Sequence, residues 1–206
     1  QGAVDSSQGD MTAYNAVVEI EQANLKALNI NRRDQLSTLS ASLSLDMMGR
    51  DLDTMAGRLS IYDGVYNYND KSVESDLIEL TVESNEDIRK MLLTSDFVDA
   101  QFESRSSYKE VAYYVSTLIA RYLPQLYDSQ ALDTIGVMGE GLRDHVALLS
   151  VTTKADLSSL LDCIADGLDV APNTTLKTFI DPKTNRFVMR GRSECIERYP
   201  YLVSEV

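Results

Sequence analysis

A chain of 206 residues, 44% hydrophobic and 25% charged, has the composition of a folded protein and is long enough to bury roughly 70% of its unfolded surface. Its net charge of −13 repels phosphate backbones and anionic lipid, which argues against a general nucleic-acid or membrane-surface binder. No apolar run approaches the roughly 20 residues of a bilayer span, so no membrane crossing is expected.

Gln1 to Gly9 are small and polar and read as a flexible N-terminal segment. From Asp10 to Ala171 the spacing of apolar residues predicts a helical body. Tyr14, Val17, Val18, Glu21, Leu25 and Leu28 recur at steps of three and four, as on an amphipathic helix that ends at Asn29 or Asn31. Leu36, Leu39, Leu43, Leu45, Met48, Leu52, Met55, Leu59 and Tyr62 continue such steps, with one slip, as a long helix whose stripe rotates partway along. Gly49 and Gly57 then each cost that helix about 1 kcal/mol against Ala. Tyr62 to Asp70 reads as a loop that carries Tyr66 and Tyr68.

Ser72 caps a third expected helix bearing Val73, Leu77, Leu80, Ile88, Met91 and Leu92. Ser107 and Glu110 have the spacing of a capping box that opens a fourth, stopped near Pro124. Between Asp128 and Ser150 the glycines Gly136, Gly139 and Gly141 suit two short helices with a bend. A last body helix starts at Thr152 or Thr153 and runs through Leu157, Leu160, Leu161 and Ile164 towards Pro172. The expected fold is therefore mainly α: a multi-helix bundle or orthogonal helical domain.

Residues 172–206 read differently, as a C-terminal hairpin and tail packed on that body within a single domain. Thr175 to Ile180 and Arg186 to Met189 are two strand-like runs, with Pro182 setting the turn between them. An isolated two-stranded ribbon is marginal in water, so the small β-hairpin is expected to dock on the helices. A disulfide between Cys163 and Cys195 would hold it there, closing a loop of about thirty residues for about 3 to 4 kcal/mol. The segment from Leu176 to Arg198 carries six cations against three carboxylates, a net +3 that leaves −16 on the remainder. The basic hairpin either complements the acidic body or is offered to an acidic partner. Lys183, Asn185, Arg186, Arg190 and Arg192, with the loop tyrosines Tyr66 and Tyr68, are the candidate partner contacts.

Catalytic and metal motifs are absent. His145 is the only histidine and falls among Leu142, Val146 and Leu149, as an edge-of-core residue does. The pairs Asp51 with Asp53, and Glu19 with Glu21, point to different faces of a helix and cannot share a proton. Asp63 to Asp70 lacks the calcium-loop order, and Gly136 to Gly141 is no phosphate loop. Asn173-Thr-Thr is a glycosylation sequon in a eukaryotic host.

No cofactor or metal is expected. The leading expectation is a non-enzymatic helical interaction or assembly protein, exported or virion-associated, that binds a protein partner or itself. An even cysteine count without CxxC spacing favours the extracytoplasmic setting, with any leader before Gln1 already removed. The alternative is a small-molecule-binding or sensor bundle whose cavity is lined by Met47, Met48, Met55 and tyrosines. A third is an enzyme working with carboxylates alone.

Overall fold

The computed structural model describes residues 2–8, 11–29, 37–69, 71–85, 88–122, 147–154, 157–164, 168–181, 184, 186–194, 196–198 and 201–204. These residues form mostly antiparallel β-sheet, not a helical bundle. The strands are β1 (Gly2–Gln8), β2 (Met11–Asn24), β3 (Ser37–Gly49), β4 (Ala56–Tyr68), β5 (Lys71–Ser84), β6 (Arg89–Ser95) and β7 (Val98–Ser104). Helix α1 (Tyr108–Tyr122), β8 (Ala147–Thr153), helix α2 (Leu157–Ile164) and β9 (Leu168–Val170) follow. Strands β10 (Thr175–Asp181), β11 (Arg186–Arg192), β12 (Ile196–Arg198) and β13 (Tyr201–Ser204) complete the chain.

Ten strands make one antiparallel sheet in the order β1-β2-β3-β4-β5-β6-β7-β8-β10-β11, and β13-β12-β9 make a second, three-stranded one. Among the described residues the main sheet is open, with β1 and β11 as its edges. Neither described helix is long and apolar enough to cross a membrane.

The register sorts the chain into two faces. Tyr14, Met47, Gly57, Val82, Met91, Phe102, Leu149, Thr178 and Met189 lie opposite one another in a single row from β2 to β11. Two residues along lies a second such row: Ala16, Leu45, Leu59, Leu80, Leu93, Ala100, Val151, Leu176 and Gly191. The row between them, on the opposite face, reads Asn15, Asp46, Arg58, Thr81, Leu92, Gln101, Ser150, Lys177 and Arg190. Successive side chains of a strand point to opposite faces, so one face of the sheet is apolar and the other polar.

Both helices lie on the apolar face. Val111, Tyr114 and Val115, at helical spacing on α1, pack on Phe102, Ala147 and Ile180, and Tyr114 is 1% exposed. The expected capping box is formed at the start of α1: the Ser107 amide donates to Glu110 Oε2 at 2.9 Å and the Glu110 amide to Ser107 Oγ at 3.1 Å. Leu157 and Leu160 of α2 pack with Tyr66, Tyr68, Val73, Ile78, Phe97 and Val98. This last helix is shorter than expected, because Thr152 and Thr153 belong to β8.

Two local devices keep the apolar face continuous. Asp63 in β4, with φ 49°, is an extra residue relative to β3, where the register shifts between Ser40 and Ser42. Beyond this bulge Tyr66 and Tyr68 still oppose Leu39 and Ser37. On the neighbouring strand, Asp96 Oδ2 accepts from Ser75 Oγ and the Asp76 amide, both at 2.8 Å, and from the Leu77 amide at 3.4 Å. The carboxylate thus continues the pairing of β5 where β6 ends at Ser95. Its acidity responds: the Ser75 hydroxyl foremost, with these amides and Lys154, holds the Asp96 carboxyl below the ordinary value.

The expected bundle is thereby corrected, element by element. Gly49 and Gly57 are strand residues, and Gly57 sits at φ 139° where a Cβ would strike the Asp46 carbonyl oxygen and come within 2.7 Å of Met47 Cα. Asp51 and Asp53 occupy the β3–β4 connection instead of a helix. There Thr54 Oγ1 bonds Asp51 Oδ1 at 2.9 Å, and Asp53 Oδ1 accepts from the Tyr108 amide at 2.8 Å and pairs with Arg89 Nε at 3.2 Å. The N-terminal residues 2–8 form edge strand β1.

Candidate functional site

The hairpin expected at the C-terminal end is present, but it extends the sheet instead of sitting on helices. β10 pairs with β8 on one side and β11 on the other, and the β10–β11 register runs unbroken from Thr175 opposite Arg192 to Asp181 opposite Arg186. Asp181 organises the turn, accepting from Thr184 Oγ1 at 2.6 Å and the Thr184 amide at 3.2 Å.

On the polar face this corner of the sheet holds a concavity of about 490 Å³, walled by β7, β8, β10 and β11. Gln101, Ser150, Lys177 and Arg190 form one row across it, and Glu103, Leu148, Phe179 and Val188 the next. Arg186 lies one row further, its guanidinium carbon 5.7 Å from the centre of the Phe179 ring. Arg192 lies on the other side, in the row of Asp99, Thr152 and Thr175. The site is therefore an apolar strip of Leu148, Phe179 and Val188 bordered by cations.

Among the described residues no ion pair neutralises those cations, although Asp181 stands opposite Arg186 in the register. Lys177, Arg186, Arg190 and Arg192 are exposed, and none has a carboxylate within ion-pairing distance among the described residues. Glu103, the acid in the cleft wall, is paired with Lys90 at 3.7 Å. Lys177 and Arg190 stand directly opposite each other, an arrangement of like charges that costs up to about 1 kcal/mol unless an anion separates them. A second concavity on the polar face, about 660 Å³ and lined by Ser44, Asp46, Ser60 and Tyr62, lacks this character. Its cation Arg58 is already paired with Glu79 at 3.6 Å.

Of the residues expected from sequence, Arg186 and Arg190 line the cleft and Arg192 adjoins it, while Lys183 and Asn185 lie outside the described residues. Tyr66 and Tyr68 are strand residues of β4, not loop residues. Their rings stack at 5.4 Å, Tyr66 Oη accepts from Ser37 Oγ at 3.2 Å, and Tyr68 is 6% exposed within the apolar cluster. Met47 faces the apolar side and Met48 the polar side, and Met55 belongs to the β3–β4 connection, so they do not line a common cavity between helices. Cys163 belongs to α2, but Cys195 lies outside the described residues, as do His145 and Gly136 to Gly141. Independently of any disulfide, β12 pairs with β9 and ties the tail to the segment after α2.

In the sequence Lys177 counts only towards the basic charge of the segment, and Leu148, Phe179 and Val188 carry no site signal of their own. The usable signal was Arg186, Val188, Arg190 and Arg192 at steps of two, which places them on one face of a strand together with whatever β10 sets opposite. Among the described residues no group of three or more His, Cys, Asp or Glu side chains is arranged to hold a metal ion. No protein-family model matches the chain, and no curated protein or solved structure matches it.

Proposed function

We propose that the chain is a non-enzymatic interaction protein that contacts an acidic partner through the cationic corner of its sheet. The observation that carries this reading is the set of cations Lys177, Arg186, Arg190 and Arg192, without an ion-pair partner among the described residues, around an apolar strip in a molecule of net charge −13. A sign inversion of this kind focuses an anionic group on one site while the rest of the surface repels it. An exported setting belongs to the same proposal and rests on the even cysteine count alone.

Fluorescent polyglutamate tests the reading. The protein should bind it at low salt and release it as salt rises, whereas the variant carrying Lys177→Gln, Arg186→Gln, Arg190→Gln and Arg192→Gln should not bind it. Equal behaviour of the two proteins sinks the proposal.

A second reading, small-molecule binding, is favoured by a different observation. Leu43, Leu45, Leu59, Ile61, Leu80 and Leu93 on the apolar face are only half-buried and belong to neither helix-covered cluster. An apolar ligand laid on that face would complete their burial at about 25 cal/mol per Å². A fluorescent fatty acid whose binding is lost in Leu45→Asp supports this reading, and a probe that ignores the substitution removes it.

A further inference from the structure

Strand β11 is the edge of the ten-stranded sheet, and three of its properties bear on what can lie beside it. Its pairing with β10 is continuous over seven residues, from Arg186 to Arg192, with no bulge to twist the edge away and no proline to interrupt it. Its residues are exposed apart from the half-buried Val188. Its two faces differ: Arg186, Arg190 and Arg192 point to the polar side, and Phe187 and Met189, 39% and 55% exposed, to the apolar side.

Natural sheets blunt their edges with charge, so the first question is whether these arginines merely protect. Against a second β11 edge they do protect, because like charges would meet there, but against an acidic strand they do not. Copies of a chain with net charge −13 already repel one another, and further carboxylates at the edge would strengthen that protection. Towards acidic strands the cations do the reverse, making this edge a part of the surface that attracts them. The opposed Lys177 and Arg190 add repulsion within the hairpin that an incoming carboxylate relieves.

We propose that β11 is a docking edge for an extended segment of a partner protein in which acidic and apolar residues alternate. This rests on the cationic corner being a contact surface and adds what its occupant looks like. Backbone groups of the segment pair with the outer edge of β11, as in other strand additions. Its acidic side chains then fall on the polar side, beside Arg186, Arg190 and Arg192, and its apolar ones beside Phe187 and Met189. A match to all seven residues spans about 23 Å at strand rise. Alternation is essential, because a slip of one residue sends every carboxylate to the apolar side.

The test uses the full chain and three capped octapeptides labelled for fluorescence anisotropy: alternating Glu and Leu, four Glu followed by four Leu, and the alternating peptide with alternate backbone nitrogens methylated. The alternating peptide should bind about tenfold or more tightly than either of the others, a difference of about 1.4 kcal/mol or more. Arg190→Glu with Arg192→Glu should abolish its binding while thermal unfolding shows the variant still folded. If all three peptides bind alike, the edge-pairing proposal is wrong while the acidic-contact reading stands. If none binds and polyglutamate also fails, both fall. A concentration-dependent dimer that Arg190→Glu dissolves, with no peptide binding, assigns the edge to a second copy and overturns the proposal.

Discussion

Replacing Lys177 by Glu should make the protein more stable. Lys177 and Arg190 are directly opposed on β10 and β11, and neither has a carboxylate partner among the described residues. A cross-strand pair changes stability by roughly 0.2 to 1 kcal/mol, favourably for opposite charges and unfavourably for like ones. Lys177→Glu removes the repulsion and supplies an attraction, but both residues are exposed and screened, so the expected gain is about 0.5 to 1 kcal/mol.

In a chain of this size, a gain of that order raises the midpoint of thermal unfolding by about 1 to 4 °C. Overall charge works against the effect, since the variant is two charges further from neutrality than −13. A gain must therefore come from the local pair. Urea unfolding at low ionic strength is the assay, with the slope against denaturant unchanged. In 1 M salt, where the screening length is about 3 Å, the gain should largely disappear. Binding of polyglutamate should weaken in the same variant, which separates a contact site that costs stability from an idle surface. A neutral or destabilising Lys177→Glu at low salt refutes the reasoning about the opposed cations.

Three further substitutions test the frame that holds the site. Gly57→Ala should cost about 1 to 3 kcal/mol or more in urea unfolding, because φ is 139° and the added carbon meets the backbone of Asp46 and Met47. Gly64→Ala, whose Cβ would find its nearest neighbour at 3.7 Å, is the control and should cost much less. Ser107→Ala should lower stability by about 1 kcal/mol through loss of the α1 cap, read as an earlier thermal midpoint by circular dichroism.

Asp96 should confer pH-dependent stability, since hydrogen bonding led by Ser75 lowers its folded pKa below the unfolded value. Its contribution is complete above the ordinary carboxylate pKa of about 4 and is lost as pH falls through the lower folded value. The stability difference between the protein and Asp96→Asn should therefore be constant from about pH 6 to 7 and shrink below about pH 4. A difference that grows on acidification contradicts the assignment.

The sequence carries the period of a sheet beside the period of a helix. From Thr38 to Met47 the chain alternates Ser, Thr or Asp with Leu, Ala or Met: Leu39, Ala41, Leu43, Leu45 and Met47 share a face, and Thr38, Ser40, Ser42, Ser44 and Asp46 the other. A step of four is also two steps of two, so Leu39 and Leu43 fit both periods. Ala41 between them is too small to stand out, although at 6% exposure it is among the most buried residues of the strand. In the same way Ile78, Leu80 and Val82 alternate with Glu79, Thr81 and Glu83. Leucine, methionine and serine fill these strands where β-branched residues would have announced them.

What was legible rested on chemistry specific to one conformation. Ser107 and Glu110 satisfy amides at a helix start, and the change of composition near Pro172 marked the two strands of the β10–β11 hairpin. The corner site was half legible, because Arg186, Arg190 and Arg192 declare their face by spacing. Lys177 and Phe179 join them only through the register of β10. The neighbours Leu148, Ser150 and Gln101 come from strands far away in sequence, and no local pattern could bring them there.

Hydrogen exchange of the full chain, with and without the alternating Glu and Leu octapeptide, addresses the binding edge most directly. The β11 amides that do not bond to β10 should exchange quickly in the free protein, and slow on adding the peptide while those of β1 at the other edge stay unchanged. Slowing at β1, or none at β11 when the peptide is bound, would contradict it.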